Sequence, residues 1–408
     1  MTRDHLPSLL LLPFPPDPAS RPALNAAYRP ALTAAFEKLK HAPTGQGQKL
    51  IIAVACSLLR GPGLRHKTLT WPQAQSLLAG LYTLISVVCA ELHIPSYVNA
   101  GPGSVDATVV LLDHDRRKRY GEDFRAAIES NNTAIVDLPT FASAYYPWNY
   151  IFSADSEAAH ELRSLYLKFA ERRQQLLQDQ LITVKGGVTL SVPPSEGPPP
   201  PTPGTMPHST VCLGGTFDHL HPGHKLLLTS GAYLLDIPEA GSASTCNYII
   251  GITGDELLKN KRGAEYIEQW DVRARNVIYF LSSILELSPK GWQGAAVPSI
   301  QEDDGNFSTV FRDGTVTIHC VKIQDPFGPT ITEENMDALV VSAETRSGGK
   351  AVNDRRADRG WRAMEVFEVD VLDARGITDA PSQQSEDFSS KISSSAIRQQ
   401  LAEATARP

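Results

Sequence analysis

The residues best equipped for chemistry lie in one run, CLGGTFDHLHPGH, from Cys212 to His224. Gly214 and Gly215 have no side chain, so a ligand can come close to the backbone there. Thr216 adds a hydroxyl, and Phe217 follows it as part of the same candidate binding segment. His221 and His224 stand three residues apart around Pro222 and Gly223. Pro222 suits the first turn of a helix, where its missing N–H would have no partner anyway. Two imidazoles at a helix N-terminus sit where free amides and the helix dipole favour an anion. The pattern predicts a phosphate site. Either histidine alone would read as a cap or a packed ring; the double glycine, the threonine and the strand-to-helix position together shift the reading to binding. A metal shared by the two imidazoles would need a third ligand, and no Glu or Cys completes a set nearby, so no metal site is expected. Asp218 and His219 read as turn-forming, hydrogen-bonding residues.

Two more groups are candidates. Lys259 and Lys261 in GITGDELLKNK, and Ser393, Ser394, Ser395 and Arg398 in KISSSAIR, carry phosphate-compatible groups. In isolation the lysines are most simply a solvated corner and the serines a helix cap.

Elements must bring these groups together. Val211 to Leu213, Tyr248 to Ile252, Val316 to Ile323, Ala338 to Val341 and Val366 to Val371 are apolar, β-branched runs that read as strands. Helical patterns at Lys225 to Leu235 and Val272 to Leu287 lie between them. Five strands with right-handed crossovers predict a doubly wound, Rossmann-like parallel sheet, with ligands outside the carboxyl ends of its strands. Ser288 to Asp313 and Asp373 to Ser390 are polar and rich in Gly, Ser and Pro, and read as mobile surface insertions.

Upstream, VPPSEGPPPPTPGTMPH at Val192 to His208 holds eight prolines and predicts an extended linker. The expected division is a smaller N-terminal α/β domain at 1–190, a linker at 191–208 and a catalytic domain at 209–408. In the N-terminal part, Leu50 to Leu58, Ala107 to Leu112 and Thr133 to Leu138 read as strands, and Trp71 to Leu92 and Ser156 to Gln180 as helices. His114 lies in DHDRRKRY, read as a solvated strand-to-helix corner. Nothing in this part names a function.

The 408 residues hold 38 basic and 45 acidic side chains, for a net charge of −7. That disfavours a broad grip on nucleic acid and leaves room for a small anion held by a few placed cations. Five cysteines, no two closer than thirty-three residues, give neither a zinc motif nor a disulfide framework, which suggests a reducing compartment. Leu9 to Leu12, broken off by Pro7 and Pro13, is too short for a signal segment or a membrane span. The expectation is a cytoplasmic chain with no membrane partner.

The second half resembles the HxGH nucleotidylyltransferase superfamily and, within it, the eukaryotic, fungal-like phosphopantetheine adenylyltransferases. The resemblance rests on GGTFDHLHPGHK at Gly214 to Lys225, GITGDELLKNK at Gly251 to Lys261, DPFGPT at Asp325 to Thr330, VVSAET at Val340 to Thr345 and KISSSAIR at Lys391 to Arg398. It implies transfer of AMP from ATP to 4′-phosphopantetheine, giving dephospho-CoA and pyrophosphate in coenzyme A synthesis. It further implies that His221 and His224 donate to the α-phosphate and that Thr216 holds the acceptor phosphate. Lys259, slightly favoured over Lys261, would bridge acceptor and α-phosphate. Ser393, Ser394 and Ser395 would meet the β- and γ-phosphates, and Arg398 the leaving pyrophosphate. Mg²⁺ would arrive with ATP. Around the fourth strand the chain departs from the family pattern, with Ser342, Ala343, Glu344, Thr345 and Arg346, which leaves Arg346 between phosphate and solvent. No GxxxxGK[ST] loop occurs, so the kinase acting on dephospho-CoA is expected on a separate polypeptide, one of the CoA-pathway enzymes expected as partners. Two alternatives stay open: a related nucleotidylyltransferase using CTP or ATP with another phosphate acceptor, and a scaffold protein of a coenzyme A-synthesising complex.

Overall fold

A computed structural model of the chain describes residues 6–42, 45–61, 64–115, 120, 133–144, 147–171, 176–188, 204–239, 242–285, 298–373, 377 and 393–405. The chain divides into two compact units. The first comprises Met1–Met206, Leu287–Ala296 and Gly376–Asp379, the second Pro207–Glu286, Val297–Arg375 and Ala380–Pro408. Most of the proline-rich stretch, 189–203, and most of 373–390 lie outside the described residues.

The first unit is built on strands β1 (Ser8–Leu12), β2 (Gln48–Cys56), β5 (Val105–Asp113), β6 (Val136–Asp137), β7 (Ile151–Ala154) and β8 (Leu181–Val184), with a small hairpin of β3 (Leu59–Arg60) and β4 (His66–Lys67). The six form one sheet in the order β6-β5-β2-β1-β7-β8, parallel throughout. Helices α1 (Arg21–Lys40), α2 (Trp71–Glu91), α3 (Leu138–Ala144) and α4 (Glu157–Ala170) supply the crossovers and cover. Leu9 to Leu12, noted from sequence only as a short apolar stretch, is the fully buried strand between β2 and β7. A strand buried on both faces is uniformly apolar, so periodicity does not reveal it. The strand expected at Thr133 to Leu138 shrinks to β6, because Leu138 already opens α3. The helix expected over Ser156 to Gln180 ends at Ala170, with Ser156 as its cap accepting from the Ala159 amide. His114 is buried, not solvated, at the end of β5; 116–119 lie outside the described residues. Among the described residues α2 alone is long and apolar enough to cross a membrane, and 78% of its apolar window is buried within the protein.

The second unit contains β9 (Thr210–Gly215), α5 (Pro222–Leu234), β10 (Cys246–Thr253), α6 (Trp270–Leu285), β11 (Gln301–Asp303), β12 (Asn306–Phe311), β13 (Val316–Ile323), β14 (Ala338–Ser342), α7 (Arg346–Asp358), β15 (Glu365–Val369) and α8 (Ser394–Thr405). Its sheet runs β11-β12-β13-β10-β9-β14-β15. The five expected strands are present and parallel, but β12 and β11 add antiparallel to the β13 edge and make the sheet seven-stranded and mixed. The segment expected as a mobile insertion therefore contributes two strands. Phe307, Thr309 and Phe311 alternate inward along β12, and the two-residue turn Asp304–Gly305 has positive φ at both positions, 47° and 71°. That is the geometry of a type I′ hairpin, for which Asp-Gly is a favoured pair.

Helices α5 and α6 pack against β9, β10 and β13 over a floor of Val211, Leu213, Tyr248, Ile250 and Ile252. Gly231 permits the approach of α5, since a Cβ there would stand 2.1 Å from the Tyr248 hydroxyl. Cys212, Leu339 and Val341 form a second core with Val352 of α7, Met336 and Met364. The chain begins its sheet at β9, moves out through β10 to β13 and returns to β14 on the other side of β9. The Gly214–His224 segment lies at the carboxyl end of β9, beside this change in winding direction, the place where open α/β sheets as a class bind ligands.

Candidate active site

Strand β9 ends at Gly214–Gly215, and the chain turns through Phe217 and His219, both left-handed with φ of 54° and 46°. His221 caps α5: its backbone is extended and its Nδ1 accepts from the Gly223 amide at 3.2 Å. A ring nitrogen that accepts carries no proton, so the remaining N–H of a neutral His221 is on Nε2. The His221 and His224 rings stack with centroids 3.9 Å apart, and His224 also lies 5.2 Å from the Phe217 ring. Both residues keep part of their surface open while protein packs closely around them. Burial, reinforced by the charge of Lys225 and by His219, pushes His221 down to about 3. Burial first, then His221 and His219, hold His224 well below the usual histidine range. Both are thus neutral donors at physiological pH. His224 Nδ1 is enclosed without a hydrogen-bond partner among the described residues.

Lys261 Nζ donates to Thr216 Oγ1 at 3.3 Å, which brings the cation and the hydroxyl to one point beside the histidine loop. Burial, followed by the charge of Arg398, pushes the Lys261 ammonium down. Lys259 does not join them. Its side chain is 65% exposed and pairs with Glu256 at 2.5 Å.

Ser393 Oγ accepts from the Ala396 amide at 3.3 Å and starts α8. Ser394 Oγ donates to the Asp218 carbonyl at 2.9 Å, and Ser395 Oγ accepts from Arg398 Nη2 at 3.1 Å. Arg398 Nη1 lies 2.5 Å from Asp218 Oδ2, and Nε donates to the Arg262 carbonyl at 3.2 Å. Asp218, which reads in sequence as a turn former, joins the histidine loop to Ser394 and Arg398 of the α8 segment. Lys391 and Ile392 lie outside the described residues. Arg346 forms a forked pair with Glu368 of β15 on the surface, through Nε at 2.5 Å and through Nη2.

Two further residues organise the loops. Arg273, fully buried, donates to the Thr216 carbonyl at 2.6 Å, the Thr253 carbonyl at 2.9 Å, Asp255 Oδ1 at 2.6 Å and the Glu268 carbonyl at 2.8 Å. It ties the carboxyl ends of β9 and β10 together. Sequence reading missed it, although the signal was present: Trp270, Arg273, Ala274, Val277, Ile278 and Leu281 share the buried face of α6, and an arginine on such a face needs a fixed set of acceptors. Glu268 accepts from the His219 amide at 2.8 Å and from Asn276 at 3.3 Å. Burial raises its pKa against the opposing effect of His219.

Ligand atoms of Asp218, His219 and Glu268 lie within 4.8 Å of one another, as a metal would require. Each is already committed. Asp218 is held by Arg398 and the Glu268 amide, His219 Nε2 lies 2.8 Å from the Tyr266 carbonyl, and Glu268 is bonded as above. This donor set fits an internal network and does not fit a resident cation.

Residues 1–190 match a family model described as a domain of unknown function (DUF8446). The chain is 35% identical over 193 residues to an uncharacterized protein of Schizosaccharomyces pombe, covering 47% of each. It is 33% identical over 191 residues to a phosphopantetheine adenylyltransferase of Saccharomyces cerevisiae, covering 47% of this chain and 48% of that one. A protein of the same name from Pyrobaculum aerophilum is 30% identical over 162 residues, 40% of this chain and 79% of its relative. The matches thus span about half the length of the first two relatives and most of the third.

Proposed function

The chain belongs to the nucleotidyltransferase family that includes the phosphopantetheine adenylyltransferases, and we propose that its second unit transfers AMP from ATP to 4′-phosphopantetheine, giving dephospho-CoA and pyrophosphate. One observation carries this reading: two neutral, stacked histidines open α5 on the same loop that brings Thr216 to Lys261.

The acceptor is a phosphate monoester whose second pKa is roughly 6, so most of it is dianionic at neutral pH and no general base is needed to form the nucleophile. An acceptor oxygen forms a bond to the α-phosphorus while the bond to the β-phosphate bridging oxygen breaks, and that electron pair leaves with pyrophosphate. The protein's task is alignment and charge stabilisation. Thr216 and Lys261 receive the acceptor phosphate, and Lys261 spans to the α-phosphate. His221, through its Nε2–H, and His224 donate to α-phosphate oxygens as charge gathers there. Their depressed pKa suits this: a protonated His221 could not accept the Gly223 amide that fixes its ring. Ser393 and Ser395 present hydroxyls and helix-start amides to the β- and γ-phosphates, Ser394 ties the arm to the Asp218 carbonyl, and Arg398 stands behind them. The triphosphate would arrive as its Mg²⁺ complex, part of the substrate, and the ion would offset some of its charge.

The test is incubation of the purified chain with 4′-phosphopantetheine and either ATP or CTP, with the product identified by mass. Dephospho-CoA formed with ATP is expected. Pyrophosphate release with CTP alone would reject the assignment in favour of a different nucleotide specificity.

A further inference from the structure

We infer that Asp218 is a positioning residue: its buried carboxylate aims Arg398 and thereby sets the Ser393–Ser395 arm against the histidine loop. This deepens the adenylyl-transfer reading and rests on it.

The two partners are 180 residues apart in the chain, with side chains 0% and 5% exposed, so the 2.5 Å contact is hardly shared with solvent. A buried ion pair is weak evidence for stability, because desolvation of both charges offsets their attraction. What it supplies is direction. A guanidinium has five N–H donors in a fixed fork. In Arg398 one goes to Asp218, one to Ser395 and one to the Arg262 carbonyl. The remaining donors can meet a phosphate without the clamp breaking.

Asp218 is itself fixed from several sides. Its Oδ1 accepts from the Glu268 amide at 3.0 Å, and its carbonyl accepts from Ser394 Oγ. The left-handed residues on either side, Phe217 and His219, belong to the turn that presents His221. Gly263, with φ of 69°, lies against Arg398, where a Cβ would come 3.4 Å from the arginine Cβ. Arm and histidine pair therefore share one anchor, and a displacement of Asp218 would move Arg398 and the serines relative to the imidazoles.

The test uses the full chain and three readouts. Asp218→Asn is expected to raise KM for ATP by about 10-fold or more while KM for 4′-phosphopantetheine stays within about 3-fold, because only the nucleotide end loses its partner. Asp218→Glu, which keeps the charge, should recover most of that loss. Combining Asp218→Asn with Arg398→Ala should cost no more than Arg398→Ala alone, since one residue acts through the other. Hydrogen exchange should show α8 losing protection in Asp218→Asn. Should that variant fail to fold, Ser394→Ala, which removes the second link to Asp218, is expected to change KM for ATP and α8 exchange in the same direction. Multiplying effects in the double variant, equal effects on both KM values, or unchanged α8 exchange would overturn the inference. The exchange readout stands apart from turnover, so a chain that makes no dephospho-CoA would reject the activity while still deciding the clamp.

Discussion

On the proposed reading His221 and His224 are neutral donors whose worth lies in placement, and their removal should show in rate more than in folding. His224→Ala is expected to lower kcat by about 10² to 10³, the scale for losing one preorganised donor to developing charge, with a melting temperature close to that of the parent. A folded variant with unchanged turnover would remove His224 from the mechanism. The lysines separate in the same assay. Lys261→Ala should lose about 10² or more in kcat/KM, whereas Lys259→Ala, which only frees an exposed Glu256, should stay within about 3-fold. The depressed His221 also fixes a pH dependence of stability. Its folded value of about 3 lies below the ordinary 6.5, so between these limits the unfolded chain binds the extra proton. Stability is therefore fully present above pH 6.5 and declines as pH falls toward 3. Melting curves from neutral pH down to about 4.5 should show that decline, and His221→Gln should flatten it. An equally steep decline in the variant would assign the effect to other groups.

At the scale of elements, the contact between α5 and β10 depends on a missing side chain. Gly231→Ala would press a methyl into the Tyr248 hydroxyl, itself fixed by a 2.8 Å bond to the Leu228 carbonyl. The expected cost is roughly 1–3 kcal/mol in denaturant unfolding, the range for overpacking a filled core. The parallel strands were legible in sequence because each is a compact apolar run, and the histidine loop because glycine, proline and imidazole stand at fixed offsets. The rest was hidden for identifiable reasons. The β11–β12 hairpin announced itself only through Asp304–Gly305, within a stretch whose polar composition suggested a loose loop. Whether Lys259 or Lys261 reaches Thr216 depends on the winding of the 255–263 segment, with its left-handed Gly263. Asp218, Glu268 and Arg356 were invisible as partners because their acceptors or donors come from distant segments. Arg356, fully buried, illustrates this: it donates to the carbonyls of Thr330, Glu333, Glu334 and Arg362, fastening the DPFGPT loop to α7. Local spacing carries no record of such bonds.

On the scale of the whole molecule, every residue given a part in the chemistry belongs to the second unit, while the first carries its own parallel sheet and its own core. A chain beginning at residue 207 should therefore keep kcat and both KM values within about 3-fold of the full chain, as expected when each unit has an independent core. A large drop would give the first unit a direct part in the reaction. The bond between Asp218 and Arg398 also has a consequence for synthesis. The histidine loop leaves the ribosome long before its partner helix, and at roughly 5 to 20 residues per second the intervening stretch takes on the order of ten seconds or more to appear. Through that interval Asp218 is a lone carboxylate awaiting its counter-ion, so on the proposed reading adenylyl transfer waits until α8 has been made.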